Sequence, residues 1–235
     1  MSSSSPHALQ RLVGMVRSPR ATLTSAVKNP RSLDLAALIV VMSAACSAGF
    51  LMTRVGQLAA LDQQVRQLES FGVTITDGAY EQLRHVVPYR PVVSAVLIVI
   101  GWPILWLLGA GVVYWFGRRA GRGEPTFSQV LTVVVHASAI LAVRALISAP
   151  INYARESLGG ATSLGSVLPA FGDSTFSARL LGGVDIFIVW WVVLIALGLS
   201  ILYQTRTLPI ARWLFGAYAG GAAALALAQA LRGGV

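Results

Sequence analysis

Long apolar stretches alternate with short polar segments along the chain. Five of these stretches contain few or no charges and reach the roughly 20 residues that a helix needs to cross a bilayer. They are predicted as spans at about 35–53, 91–116, 127–149, 181–203 and 209–231. The pattern therefore predicts an all-α, polytopic membrane protein whose membrane domain, residues 35–231, is a five-transmembrane-helix bundle.

The segment before the first span is basic and partly amphipathic. Residues 1–34 place apolar side chains beside several arginines, and 8–29 predicts an amphipathic helix interrupted at Pro19. Such a helix can lie on an anionic leaflet, while the same charges can instead form a cytoplasmic arm that sets the orientation of the chain. Both interpretations stay open at this point.

A second amphipathic region, residues 54–90, separates the first two spans. Apolar residues recur at three- and four-residue intervals from Val55 to Leu68, and Gly72 ends that helix. Asp77 is predicted to cap a second helix from about 78 to 86. We predict an extramembrane helical hairpin here, packed on itself or on a partner.

Composition and charge support the membrane assignment. The chain is 55% hydrophobic and 11% charged, with a mean hydropathy of +0.69, outside the range of soluble globular domains. The net charge of +9 comes mainly from short segments that flank apolar runs, which disfavours nucleic-acid binding. These basic residues are more numerous on the side of the N-terminus, so we predict a cytoplasmic N-terminus and an outside C-terminus in a bacterial plasma membrane.

The predicted third and fourth spans contain one arginine, one aspartate and one histidine. Arg144 and Asp185 are expected at nearly the same depth, about a turn and a half below the outer surface, so they can form an intramembrane ion pair. His136 lies about two turns deeper and is expected to bond a neighbouring helix. The alternative is an ion or proton site in which Asp185 titrates.

Other site chemistry is not apparent in the sequence. Cys46 has no second cysteine to pair with, and the histidines at 7, 85 and 136 are not spaced as a metal-binding pair. Motifs for a catalytic serine, a zinc helix or a phosphate loop are missing. We therefore predict no catalytic residues, no metal site and no small-molecule cofactor, and the chain is not expected to be an enzyme.

The fifth predicted span carries a face of small residues. Gly216, Gly220, Ala224 and Ala228 recur at four-residue spacing. Small side chains let helices approach closely in membranes, where packing replaces hydrophobic association. This face predicts a helix contact, either within the chain or between subunits.

Several short motifs resemble those of the Yip domain family, membrane proteins named for interacting with small Ypt/Rab GTPases. They are Ser18 to Thr22 followed by Pro30, the entry Pro125-Thr126-Phe127, and Asp185-Ile186-Phe187 with Trp190 and Gly198 in the fourth span. The resemblance implies a five-span helical bundle with a cytoplasmic N-terminus. The short loops and the high Ala, Arg and Gly content suggest a bacterial member, for which it implies an accessory role beside another membrane machine.

The leading functional hypothesis is a non-enzymatic membrane scaffold or accessory protein. Its expected partners are the lipid bilayer and either another membrane protein or further copies of the same chain. The alternative hypothesis is a small transporter or channel that uses Asp185, Arg144 and His136. Polar residues are sparse along the predicted spans, which favours the first hypothesis.

Overall fold

The computed structural model describes residues 7–120, 124–158, 160–163 and 184–232. Every regular element in these residues is helical. The helices are α1 (Ala8–Arg17), α2 (Pro19–Lys28), α3 (Leu33–Met52), α4 (Arg54–Ser70), α5 (Asp77–Val86), a 3₁₀ turn (Val87–Tyr89), α6 (Arg90–Ala120), α7 (Phe127–Ala154), α8 (Ile186–Leu202) and α9 (Thr207–Arg232). The all-helical membrane fold predicted from the sequence is confirmed.

Three helical stretches in the described residues are long and apolar enough to cross a membrane. They lie at Leu33–Met52, within Asp77–Trp115 and at Phe127–Ala154, and α8 is an apolar helix of 17 residues. These stretches establish a helical membrane protein with at least three candidate spans. The count of five remains a prediction.

Helix α7 lies at the centre of the molecule. It packs against α1, α2, α3, α6 and α8, while α9 packs against α8. Its first half is buried almost all round, with Val130, Val133 and Ile140 fully enclosed. A helix that is apolar on every side must be surrounded by other apolar helices or by lipid, and here it is surrounded by protein.

The start of α7 is set by a local hydrogen-bond pattern. Thr126 is the N-cap, its hydroxyl accepts from the Gln129 backbone N–H, and the Gln129 side chain accepts from the Thr126 backbone N–H. This capping box satisfies two backbone donors that a helix end leaves unpaired. The Gln129 amide also donates to the Val27 carbonyl oxygen at 3.4 Å, which joins α2 to α7.

Helices α1 and α2 form a pair that docks on the bundle. Leu12, Met15 and Leu23 of this pair are buried in the same hydrophobic core as α3 and α7. Gly14 permits the close approach of the two helices, because a Cβ there would lie 2.5 Å from the Thr22 hydroxyl oxygen. The apolar side of this basic segment is therefore directed at protein in this structure.

Several helix boundaries differ from the predicted ones. Helix α7 continues through Pro150 to Ala154, beyond the predicted end of the third span at 149. A proline inside a helix removes one backbone hydrogen bond, and its ring clashes with the preceding turn. It does not always end the helix. Helix α5 is capped by Thr76, whose hydroxyl accepts from the Ala79 N–H, so Asp77 is its first helical residue and not its cap.

The fourth predicted span also differs at its start. Helix α8 begins at Ile186, and Asp185 precedes it as the N-cap. Asp185 is therefore not within the helix of this span, although the span is predicted to begin at 181. Residues 184 and 185 are not helical, and hydropathy alone does not mark a cap. Residues 164–183, which include the start of that span, lie outside the described residues.

Candidate functional site

The structure brings Arg144, in the C-terminal half of α7, together with Asp185. The Arg144 Nε donates to Asp185 Oδ2 at 2.7 Å, and the Thr162 hydroxyl donates to the same oxygen at 2.5 Å. The other carboxylate oxygen, Oδ1, accepts from the backbone N–H groups of Phe187 at 2.9 Å and Ile188 at 3.4 Å. Asp185 thus caps α8 and holds α7 and the 160–163 segment to it.

This cluster is shielded unevenly from its surroundings. The side chain of Asp185 is 12% exposed, whereas that of Arg144 is 41% exposed. Burying a carboxylate costs free energy unless the charge is paired and its oxygens accept hydrogen bonds. Arg144 supplies the opposite charge, and both carboxylate oxygens of Asp185 have donors. The arrangement stabilises an ionised aspartate that serves as a structural joint.

Ser138 is the polar centre of the bundle, although no pattern in the sequence distinguishes it. Its hydroxyl donates to the Val134 carbonyl at 2.8 Å and accepts from the indole N–H of Trp106 at 3.0 Å and of Trp191 at 3.3 Å. Trp106 belongs to α6 and Trp191 to α8. One buried hydroxyl therefore joins three helices, which no spacing rule along the sequence could indicate.

His136 lies close to this centre along α7 and is fully buried. Its Nδ1 is 2.8 Å from the Thr132 carbonyl oxygen of its own helix, so this ring nitrogen does not bond a neighbouring helix as expected. Its Nε2 has no hydrogen-bond partner among the described residues. His136 does not contact the Arg144–Asp185 pair, because eight residues along a helix correspond to about 12 Å.

A second ion pair, which the sequence pattern does not predict, joins α1 to the start of α3. Arg11 of α1 forms a salt bridge with Asp34 in the first turn of α3, and it also donates to the Arg31 carbonyl. The side chain of Arg11 is only 11% exposed. A lone aspartate at the first turn of a span that follows a basic segment is the signal that could have suggested this pair.

The residues that carry the family resemblance lie at helix contacts. Pro125 is buried before α7, and the ring of Phe127 meets Tyr114 of α6 edge-on at 5.9 Å. Phe187 stacks on Trp190 at 6.5 Å. Gly198 allows α8 to approach α7, since a Cβ there would lie 2.3 Å from a Val133 methyl group.

The small-residue face of α9 is only partly within the described side chains. A Cβ added at Gly216 or Gly220 would meet nothing within 4 Å. The side chains of Ala224 and Ala228 lie outside the described part of the chain. The glycine part of this face is therefore open in the single chain, and its role as a helix contact stays a prediction.

Candidate metal ligands are scattered in the part of the chain that the structure describes. No group of three or more His, Cys, Asp or Glu side chains lies close enough there to hold a metal ion. Cys46 is half-buried on α3 with a free thiol. The polar contacts described above are hydrogen bonds and ion pairs that join helices.

Comparison with known proteins gave one match. Neither the curated proteins nor the solved structures contain a match to this chain. The family model of the Yip1 domain matches residues 13–231, from α1 to the last turn of α9. This match covers far more than half of the sequence and includes all of the motifs discussed above from Ser18 onward, so the chain belongs to the Yip1 domain family.

Proposed function

We propose that this Yip1-family membrane protein is a non-enzymatic scaffold or accessory protein that assists a transport or membrane-organisation machinery. The observation that supports the proposal is that polar groups in the interior hydrogen-bond to several chain segments at once. Ser138 and Asp185 each join three chain segments through hydrogen bonds. Side chains used in this way fix the relative positions of helices, which is what a scaffold requires.

The membrane-facing surfaces offer room for a protein partner. Helix α6 exposes a long apolar side, and Gly216 and Gly220 of α9 face open space. Small residues on an open membrane face permit another helix to approach closely. We propose α9 as the contact with a membrane-protein partner or a second copy of the chain, and α4–α5 as a further contact outside the bilayer.

The test is crosslinking in the native host, gentle detergent extraction and mass spectrometry of co-purified proteins. Replacing Gly216 and Gly220 by Leu is expected to reduce recovery of a stoichiometric partner or of the oligomer while insertion persists. Gly101→Leu on α6 is the matched control, because a Cβ at Gly101 also meets nothing within 4 Å. Equal partner and oligomer profiles for wild type and the α9 variant would refute this contact.

We further propose five spans in a bacterial plasma membrane, with the N-terminus in the cytoplasm and the C-terminus outside. The proposal is supported by the apolar residues of α9 and by the bias of basic residues toward the N-terminal side. Fusion of a periplasm-active phosphatase to the C-terminus is expected to give activity, and fusion to the N-terminus none. The reverse pattern, or activity at both ends, would contradict this topology.

A small transporter or channel is the second candidate. One observation favours it, namely that His136 Nε2 is fully buried without a hydrogen-bond partner in the described residues. Buried polar atoms are normally satisfied, and an exception can mark a functional site. Proton or solute flux in vesicles that falls in a His136→Gln variant would support transport, and vesicles with no flux above protein-free vesicles would exclude it under those conditions.

A further inference from the structure

An open groove of about 530 Å³ lies between α4 and the first turns of α6. Its volume is in the range of sites that hold small organic ligands. One wall of the groove is mainly polar and the other is mainly apolar. The polar wall is formed by Gln63, Gln64 and Gln67 of α4, and the apolar wall includes Val93, Leu97 and Ile98 of α6.

Arg90 supplies a positive charge where the two walls meet. It lines the groove, is half-buried, and its Nη2 donates to the side-chain oxygen of Gln64. No carboxylate forms an ion pair with Arg90 in the described part of the chain, since the four ion pairs there involve other arginines. A half-buried guanidinium beside amide donors is well suited to a phosphate group.

The apolar wall continues onto the side of α6 that the bundle leaves uncovered. Val93 is 50% exposed and Leu97 66% exposed, within a stretch that is long and apolar enough to span the membrane. Arg90 is the first residue of α6, and Tyr89 before it is 68% exposed. Arginine and tyrosine at the end of an apolar helix are typical of the bilayer surface, where lipid headgroups lie.

We propose that this groove binds a glycerophospholipid. The Arg90 guanidinium and the glutamine amides hold the phosphate, and an acyl chain lies along Val93 and Leu97. The polar wall holds a cation that no carboxylate among the described residues neutralises, and it lies above an apolar wall, so the two walls match the two halves of a lipid. A free phosphate would leave the apolar wall without an occupant. The inference does not depend on whether the chain has a protein partner.

The test uses the full chain in detergent micelles with increasing amounts of palmitoyl-oleoyl phosphatidylglycerol, and native mass spectrometry to count retained lipids. We expect one lipid per chain at low lipid concentration. Arg90→Gln is expected to weaken retention about tenfold, the loss of one charge-assisted hydrogen bond. Arg84→Gln is the matched control, because Arg84 carries the same charge but is 68% exposed on α5 and paired with Glu81.

A second variant tests the groove independently, in case Arg90→Gln does not fold. Replacing Gln63 and Gln67 by Leu changes two residues of the polar wall, leaves Arg90 in place and is expected to weaken retention less. Thermal unfolding of each variant reports whether the fold is retained. Equal retention by wild type and both groove variants would overturn the proposal.

Two further probes distinguish the source of the ligand. Palmitoyl-oleoyl glycerol has the same acyl chains without phosphate, and we expect it to be retained at least about tenfold less. Equal retention of this diacylglycerol would overturn the role of Arg90. Inorganic phosphate in excess is expected to leave the bound lipid in place, and displacement by it would show a simple anion site instead.

Discussion

Helices α6 and α7 have nearly the same hydropathy but opposite surroundings. Their most apolar stretches have mean hydropathies of 2.4 and 2.2, yet 11% of the first and 61% of the second is buried inside the chain. The apolar side chains of α6 therefore largely face outward, while those of α7 form the core. In a membrane, apolar residues suit both lipid and protein surroundings, so hydropathy does not distinguish the two.

The largest expected difference between the two helices is in the cost of removing a large apolar side chain. Ile140 on α7 is fully buried, whereas Leu108 on α6 is 63% exposed. Ile140→Ala should lower the free energy of unfolding by about 3 kcal/mol, because it leaves a cavity. Leu108→Ala should change it by less than about 0.5 kcal/mol.

Reversible unfolding in mixed detergent micelles measures both variants. If Leu108→Ala is as destabilising as Ile140→Ala, then α6 is as buried as α7, and a partner or a second copy covers it under the conditions of the measurement.

Adding a methyl group between α7 and α8 is expected to lower the free energy of unfolding by less than Ile140→Ala does. A Cβ at residue 198 would lie 2.3 Å from a Val133 methyl group, so Gly198→Ala must push the helices apart. We expect a loss of about 2 kcal/mol in the free energy of unfolding. Gly101→Ala on α6 is the control and should have little effect, since a Cβ there meets nothing within 4 Å.

The same unfolding assay checks the cause of this loss. A Val133→Ala change in the Gly198→Ala background removes the clashing methyl groups and should recover part of the stability. If it instead adds its full cost, then crowding at Val133 is not the reason.

The Ser138→Ala variant tests the hydrogen bonds that join α6 and α8 to α7. Ser138→Ala leaves the indole N–H groups of Trp106 and Trp191 without their acceptor. We expect a loss of about 1.5 kcal/mol, the cost of unpaired buried donors. Tryptophan fluorescence should shift because the hydrogen bond of each indole changes, and unchanged emission together with unchanged stability would contradict the role given to Ser138.

The smallest effect is expected at the Arg144–Asp185 pair. Asp185→Asn keeps a side chain that can cap α8 but removes the negative charge beside Arg144. Because the Arg144 side chain is 41% exposed, the expected loss is only about 1 kcal/mol. Arg66→Gln breaks an exposed pair with Asp62 and should cost less than about 0.5 kcal/mol.

A double-mutant cycle with Arg144→Met measures the interaction between the two charges. Strictly additive losses for Arg144→Met and Asp185→Asn would mean that the pair does not contribute to stability.

Part of the candidate site could be predicted from the sequence. Counting residues at about 1.5 Å each predicts similar depths for Arg144 and Asp185, and an unpaired charge in a membrane is costly, so the sequence supports a pairing. The count treats Asp185 as helical, which it is not. The count could not show that Asp185 is also the N-cap of α8 and a partner of Thr162. Those bonds depend on where the backbone begins to coil and on the return of residues 160–163 to that point.

The contacts of the N-terminal segment show the same limit. Its basic and apolar pattern predicted an amphipathic helix, and the pattern is the same whether the apolar side meets lipid or protein. The structure buries Leu12 and Leu23 against the bundle and pairs Arg11 with Asp34. Helices α1 and α2 dock on an apolar surface that exists only because α7 lies against them in the folded bundle.

The sequence by itself determined that the chain is helical, belongs in a membrane and resembles the Yip family, because hydropathy, helix length and short motifs are local properties. Only the tertiary structure decided that α7 is the core, that Ser138 joins three helices and that the glutamines of α4 share a groove with Arg90 and the first turns of α6. Such contacts join residues far apart in the chain. Their geometry depends on side-chain shape and helix packing, for which apolar residues give no directional signal in a bilayer.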